Sequence, residues 1–143
     1  MTIWDTAGQE RFQFVSKMYY KMAQGFTLVY DITNRDSFEN LKYWVNEIEQ
    51  KANNWKIILL GNKWDLESKR KITYEEGAKF AEEHNFEFLE TSAKNNININ
   101  EAYESIVLNI IEDLDQPEKS IWSYSLRDLS NNDESEGSWD KGC

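Results

Sequence analysis

The chain has a single cysteine, Cys143, and a single proline, Pro117, in 143 residues. One cysteine cannot close an intrachain disulfide, so a reducing, cytosolic setting is expected. Basic residues are also scarce, 16 against 26 acidic ones, which gives a formal charge of −10 and a pI near 4.6. That balance excludes a protein held on nucleic acid by clustered phosphate contacts. The longest purely aliphatic run is Ile57-Ile58-Leu59-Leu60, far below the roughly 18 residues that span a bilayer. No basic segment followed by an apolar stretch opens the chain at Met1-Thr2-Ile3-Trp4-Asp5, so membrane attachment is expected only in peripheral form. The one histidine, His84, precedes Asn85 at a helix end and reads as a solvated surface residue.

What is present suffices for one ordinary domain, with 40% apolar and 14% aromatic residues. Phe26-Thr27-Leu28-Val29-Tyr30 and Ile57-Ile58-Leu59-Leu60 are short apolar runs that end at Asp31 and Gly61, as strands buried on both faces do. Phe86-Glu87-Phe88-Leu89 is a weaker third strand. Between the first two, Phe38, Leu41, Val45 and Ile48 recur at helical spacing over residues 37–50, and Asp36 with Glu39 is expected to cap that helix. Thr73 with Glu76 forms a second capping box before a helix to Glu83, and Ala102, Ile106 and Ile110 make the stripe of a last helix ending near Leu114. Strands alternating with helices predict an α/β fold with a mostly parallel sheet. After Asp115 the composition turns to Ser, Asn, Asp, Glu and Gly, so residues 115–143 are expected to be a disordered acidic tail behind a domain of residues 1–114.

Three motifs sit where such strands end. Trp4-Asp5-Thr6-Ala7-Gly8-Gln9-Glu10-Arg11-Phe12 places an Asp, then a Gly three residues on, then a Gln; Asn62-Lys63-Trp64-Asp65-Leu66 begins as the second aliphatic run stops; Glu90-Thr91-Ser92-Ala93-Lys94 follows the third strand. The carboxyl ends of parallel strands are where open sheets bind ligands. In this order the three resemble the motifs of Ras-superfamily GTPases. Arg11-Phe12, Tyr19-Tyr20-Lys21-Met22-Ala23, Leu28-Val29-Tyr30-Asp31-Ile32-Thr33 and Asp36-Ser37-Phe38-Glu39-Asn40-Leu41 narrow the resemblance to Rab proteins, from Ile3 to about Leu114.

The resemblance implies a P-loop NTPase fold of the Ras type, GTP or GDP with Mg²⁺ as ligands, and a GTP-hydrolysing switch in vesicle traffic. It implies that Asp5 holds Mg²⁺ through water, that the Gly8 N–H meets the γ-phosphate and that Gln9 orients the attacking water. Asp65 would accept hydrogen bonds from guanine N1–H and N2–H₂, which adenine cannot reciprocate. Lys63 would lay its stem along the ring, and Asn62 would tie neighbouring loops. In the motif containing Ser92, the Ala93 N–H would meet guanine O6 and Lys94 would cover the ring. Trp4, Phe12 and Tyr19 correspond to exposed aromatics that meet effectors and exchange factors; GTPase-activating proteins complete the implied partners. Met22 stands where the family usually has a small Gly.

Two parts of the family pattern are missing. None of the six glycines begins a G-x-x-x-x-G-K-[ST] stretch. The family places that phosphate loop, the first strand, the first helix and the first switch ahead of Trp4, with the first strand in the middle of the sheet. The sequence therefore reads as an amino-terminally truncated chain whose residues 1–143 alone are expected neither to bind GTP tightly nor to hydrolyse it. At the other end, Lys141-Gly142-Cys143 lacks the paired cysteines or Cys-a-a-X spacing that receive prenyl chains. Cys143 is a lipidation candidate on cytosolic faces of endomembranes or a free thiol, and both readings stay open. A second functional class also stays open: a nucleotide-independent relative that occupies Rab partners as a binding module.

Overall fold

The computed structural model describes residues 2–5, 20–52 and 55–114. Within them the order is β1 (Gly25–Asp31), α1 (Arg35–Glu39), α2 (Leu41–Lys51), β2 (Lys56–Asn62), a 3₁₀ segment (Trp64–Lys69), α3 (Tyr74–His84), β3 (Glu87–Glu90) and α4 (Ile99–Leu114). The strands form a sheet in the order β1-β2-β3, parallel throughout, with Phe26 opposite Ile57 and Leu59 opposite Phe88. The expected α/β architecture with flanking helices holds. The chain divides into two compact units, Met1–Ile110 and Ile111–Cys143, and the sheet lies in the first.

β2 is apolar without alternation because helices cover both of its faces. Ile57 and Leu59 join Leu28 and Tyr30 of β1 in a cluster with Leu41, Val45 and Ile48 of α2 and Phe80 and Ala81 of α3. Ile58 and Leu60 face Ala102 and Ile106 of α4 in a second cluster. Ile58 and Leu59 are both 0% exposed, and burying each such side chain contributes about 1.5–3 kcal/mol. β1 is different. It is an edge strand among the described residues, and its Thr27 and Val29 are exposed on the face opposite Leu28 and Tyr30.

Several local expectations shift. The helix read as residues 37–50 starts earlier, at Arg35, and is interrupted at Asn40 between α1 and α2, where Asn40 N donates back to Asp36 O and Asn40 O accepts from Trp44 N. Its cap is Asn34, not Asp36: the Asn34 Oδ1 accepts the Asp36 N–H at 3.1 Å, and Ser37 Oγ donates to the Asn34 carbonyl at 2.7 Å. A side-chain amide two residues ahead reaches an orphan N–H of the first turn better than Asp36, which is already inside the helix. The Thr73–Glu76 capping box forms as read, and Asn85 closes α3 in the left-handed conformation. His84 is not a solvated surface residue; its ring is half-buried against Phe80 and Phe86, with centroids 4.6 and 5.3 Å away. The strand expected to end at Asp5 is absent from the described residues: positions 2–5 are exposed and outside any strand. A strand exists only through its ladder, and in the resembled fold the partner between this one and β1 precedes Trp4. Met22 is 71% exposed.

Candidate functional site

The loops that follow β2 and β3 meet. Lys63 sits at φ 72, left-handed, which is unusual for a residue that is neither Gly nor Asn. The reversal it makes lets Trp64 N donate to Thr91 O at 3.0 Å, and Thr91 N in turn donates to Gly61 O at 2.9 Å. Side chains continue the seam. Asn62 Oδ1 accepts from Thr91 Oγ1 at 3.4 Å and from the Ala93 N–H at 3.1 Å, and Ser92 Oγ donates to Asp65 Oδ1 at 2.6 Å. Ser92 Oγ itself accepts the Asn95 N–H at 3.2 Å. Asn62, Asp65, Ser92 and Ala93 are therefore one cluster built from two segments about thirty residues apart.

The charges around it are arranged in pairs. Lys63 Nζ lies 2.6 Å from Asp31 Oδ2, at the end of β1, and Thr33 donates to Asp31 Oδ1 through both its N–H and its hydroxyl. Partial burial pushes the Asp31 carboxyl up, but the hydrogen bonds from Lys63 and Thr33 outweigh it and leave the group below the usual carboxylate range. Lys94, with a 76% exposed side chain, stands 3.9 Å from Asp65 Oδ2. Asp65 is the least exposed carboxylate of the cluster, at 9%. One of its oxygens is fixed by Ser92, and among the described residues the other has only the distant Lys94, which leaves it able to accept from a donor-bearing ligand.

Further back, Arg70 joins the same two segments. Its guanidinium contacts Glu67 and Glu90 through paired hydrogen bonds and donates to Ile72 O at 3.0 Å. Hydrogen bonds to Glu90, then to Glu67, raise its already high pKa, and Arg70 in turn holds the Glu67 carboxyl below its ordinary range. Arg70 and Glu67 were not among the residues singled out from sequence. The Glu67-x-x-Arg70 spacing was a legible signal of local pairing; the contact to Glu90 was not.

Of the residues named from sequence, Asn62, Lys63, Asp65, Ser92, Ala93 and Lys94 stand together. Two of them have partners that the resemblance did not name. The Ala93 N–H points at Asn62 Oδ1, so a base oxygen there must share or displace that bond. The Lys63 amine is paired with Asp31. Asp5 and Trp4 are exposed, Trp4 at 60%, and no hydrogen bond or ion pair joins Asp5 to the cluster. Gly8, Gln9, Phe12, Tyr19 and Cys143 lie outside the described residues. Among the described residues no group of His, Cys, Asp or Glu could hold a metal ion, and Asp5 alone does not make a Mg²⁺ site.

The Ras family model matches residues 1–112. The chain belongs to the Ras family. Within that family it is 46% identical over 112 residues to the Ras-related protein Rab-13 of Rattus norvegicus, of Bos taurus and of Canis lupus familiaris, in each case over 78% of this chain and 55% of the relative. The Rab resemblance read from the motifs thus stands. This Ras-family chain spans about half the length of the curated relatives that it matches. Among its described residues no helix is long and apolar enough to cross a membrane.

Proposed function

We propose that this Ras-family chain is the base-reading part of a Rab-type guanine-nucleotide switch, which in the complete protein binds GTP and GDP with Mg²⁺, hydrolyses GTP and acts in vesicle traffic. The observation that carries the reading is Asp65: a nearly buried carboxylate with one oxygen pinned by Ser92 and the other met, among the described residues, by Lys94 at 3.9 Å. A carboxylate held this way presents acceptors to the adjacent N1–H and N2–H₂ of guanine, and a base that cannot donate there leaves it unpaired at a cost of about 1–3 kcal/mol. Lys94, 3.9 Å from that carboxylate, and Lys63, whose amine pairs with Asp31, have long apolar stems to lay against a planar ring. Asn62 keeps the two loops in register, so that the acceptor does not have to be ordered when the base arrives.

Gln9 is assigned the attacking water by family resemblance, with Gly8 at the γ-phosphate, Asp5 on Mg²⁺ through water, and Trp4, Phe12 and Tyr19 at the surface for effectors, exchange factors and GTPase-activating proteins. Retention of Asp5, Gln9, Asp65 and Lys94 together supports a switch over a nucleotide-independent binding module, which has no physical need of all four. Attachment to the cytosolic face of endomembranes would run through lipidation of Cys143.

Replacing Asp65 tests the reading. In the full gene product, with any residues encoded upstream of Met1, Asp65→Asn is expected to weaken guanosine diphosphate about tenfold or more and to favour xanthosine diphosphate, because the amide turns a donor toward the guanine N1–H. Competition binding with the two nucleotides is the measurement. An unchanged preference removes Asp65 from a base site.

A further inference from the structure

We propose that Arg70 is a positioning residue for base selection, a clamp that holds the two base-reading segments at one spacing; this rests on the base site proposed above. Arg70 hydrogen-bonds none of Asn62, Asp65, Ser92 and Ala93. It grips what carries them. Its Nε and Nη2 reach both oxygens of Glu67, inside the Trp64–Lys69 segment that contains Asp65, at 2.5–2.9 Å. Its Nη1 and Nη2 reach Glu90 Oε1 and Oε2 at 2.6 and 2.8 Å, and Glu90 is the last residue of β3, directly before Thr91, Ser92 and Ala93. Nη1 also donates to Ile72 O at 3.0 Å. All five N–H donors of the guanidinium are thereby used.

The environment makes this more than a surface ion pair. The Arg70 and Glu90 side chains are 16% and 11% exposed, whereas pairs that contribute little are solvent-exposed and mobile. The seam they brace is a short ladder of bonds. Between the two segments run Thr91 N to Gly61 O, Trp64 N to Thr91 O, Thr91 Oγ1 and the Ala93 N–H to Asn62 Oδ1, and Ser92 Oγ to Asp65 Oδ1. Widening their spacing stretches the 2.6 Å Ser92 bond and weakens its hold on the orientation of Asp65. The planar fork is what allows one side chain to satisfy two carboxylates and a carbonyl at once. Lysine, a point charge with three donors, cannot reproduce it.

The consequence concerns discrimination. Guanine and hypoxanthine differ by the 2-amino group, which only a carboxylate held in place reads. Loosening Asp65 should cost guanine more than hypoxanthine and compress the ratio between them.

The test has two parts. In the full gene product, dissociation constants for guanosine and inosine diphosphate are measured for wild type, Arg70→Met, Arg70→Lys and Glu67→Ala. Wild type is expected to prefer guanine by about tenfold or more; the two Arg70 variants should fall within about threefold, and Glu67→Ala, which keeps the Glu90 contact, should lie between. In the 143-residue chain, amide hydrogen exchange at Trp64 and Ala93 should accelerate about tenfold in the variants while Ile58 and Leu59 of β2 are unchanged. If Arg70→Met does not fold, Glu67→Ala, whose side chain is 60% exposed, decides the matter. A wild type without guanine preference overturns the base site itself. A guanine preference that survives in the variants, or exchange that accelerates uniformly across β2 and both loops, overturns the clamp and leaves Arg70 a structural residue.

Discussion

Gly77→Ala should destabilise the chain even though it replaces glycine in the middle of a helix. Gly77 lies in α3 and its φ is not positive, so alanine suits the backbone and helix propensity alone predicts a gain of about 1 kcal/mol. A Cβ there, however, would stand 2.4 Å from Tyr30 Oη, 2.6 Å from Phe88 Cζ and 3.0 Å from Phe88 Cε2. Neither ring yields easily. Tyr30 is 1% exposed and packs edge-on against Phe38, and Phe88 is packed on Tyr74. Overpacking of this kind costs about 1–3 kcal/mol; with several contacts at or under 3 Å the upper part of that range applies, and the net is a loss of about 1–2 kcal/mol. Tyr30→Phe supplies the control. The Tyr30 hydroxyl is buried with no hydrogen-bond partner, so its removal should by itself stabilise by about 1 kcal/mol. It also deletes the 2.4 Å contact, so the two substitutions should couple favourably by about 1 kcal/mol, while Phe88 keeps the double variant below Tyr30→Phe alone. Urea or thermal melts of the four proteins read this out, at about 4–8 °C per kcal/mol for a domain of this size. A Gly77→Ala chain as stable as wild type, or an additive cycle, refutes the packing argument.

In the full gene product, Gln9→Leu should slow single-turnover GTP hydrolysis about 10²-fold with little loss of nucleotide affinity, since a water-orienting group acts in the transition state; an unaltered rate assigns the water to another residue. Acid stability should follow Asp31 and Glu76. Asp31 is held below its ordinary pKa despite burial, by Lys63 and Thr33; Glu76 is held low by Arg35 and then the Thr73 N–H. Groups depressed in the folded state contribute stability above their unfolded pKa and lose it as pH falls through the folded one, so melts of the chain should decline below about pH 4, and Asp31→Asn should flatten that decline.

The sheet was legible because its signals are local. Ile57 to Leu60 without alternation can be buried on both faces only by helices, and the Thr73–Glu76 box forms within four residues of sequence. Where a reading slipped, a neighbour in space outweighed a neighbour in sequence. The polarity of His84 suggested solvent, but Phe80, one turn earlier on the same helix, and Phe86, just past the turn, close on its ring. Asn34 took the cap from Asp36 because an N-cap must sit outside the helix. Lys63 was read for its side chain, whereas its left-handed backbone is what turns the segment toward Thr91. That conformation leaves no mark in a lysine's identity, as it would in a glycine's.

The charge network shows most clearly where local reading stops. Glu67 and Arg70 are three residues apart, and any sequence reader can pair them. Glu90 enters only through the parallel register that sets Gly61 of β2 opposite it. At that position a side chain on β2 would crowd Tyr30: a Cβ on Gly61 would come within 2.8 Å of Tyr30 Oη and 3.0 Å of its Cζ, while touching Glu90 Cγ at 3.4 Å. The glycine that ends the aliphatic run, just before Asn62, thus leaves room for the Tyr30 hydroxyl to pass beneath. Its smallness serves the packing behind the site as well as the motif in front of it, and, like the pairing of Glu90 with Arg70, that follows from the register, not from any pattern along the chain.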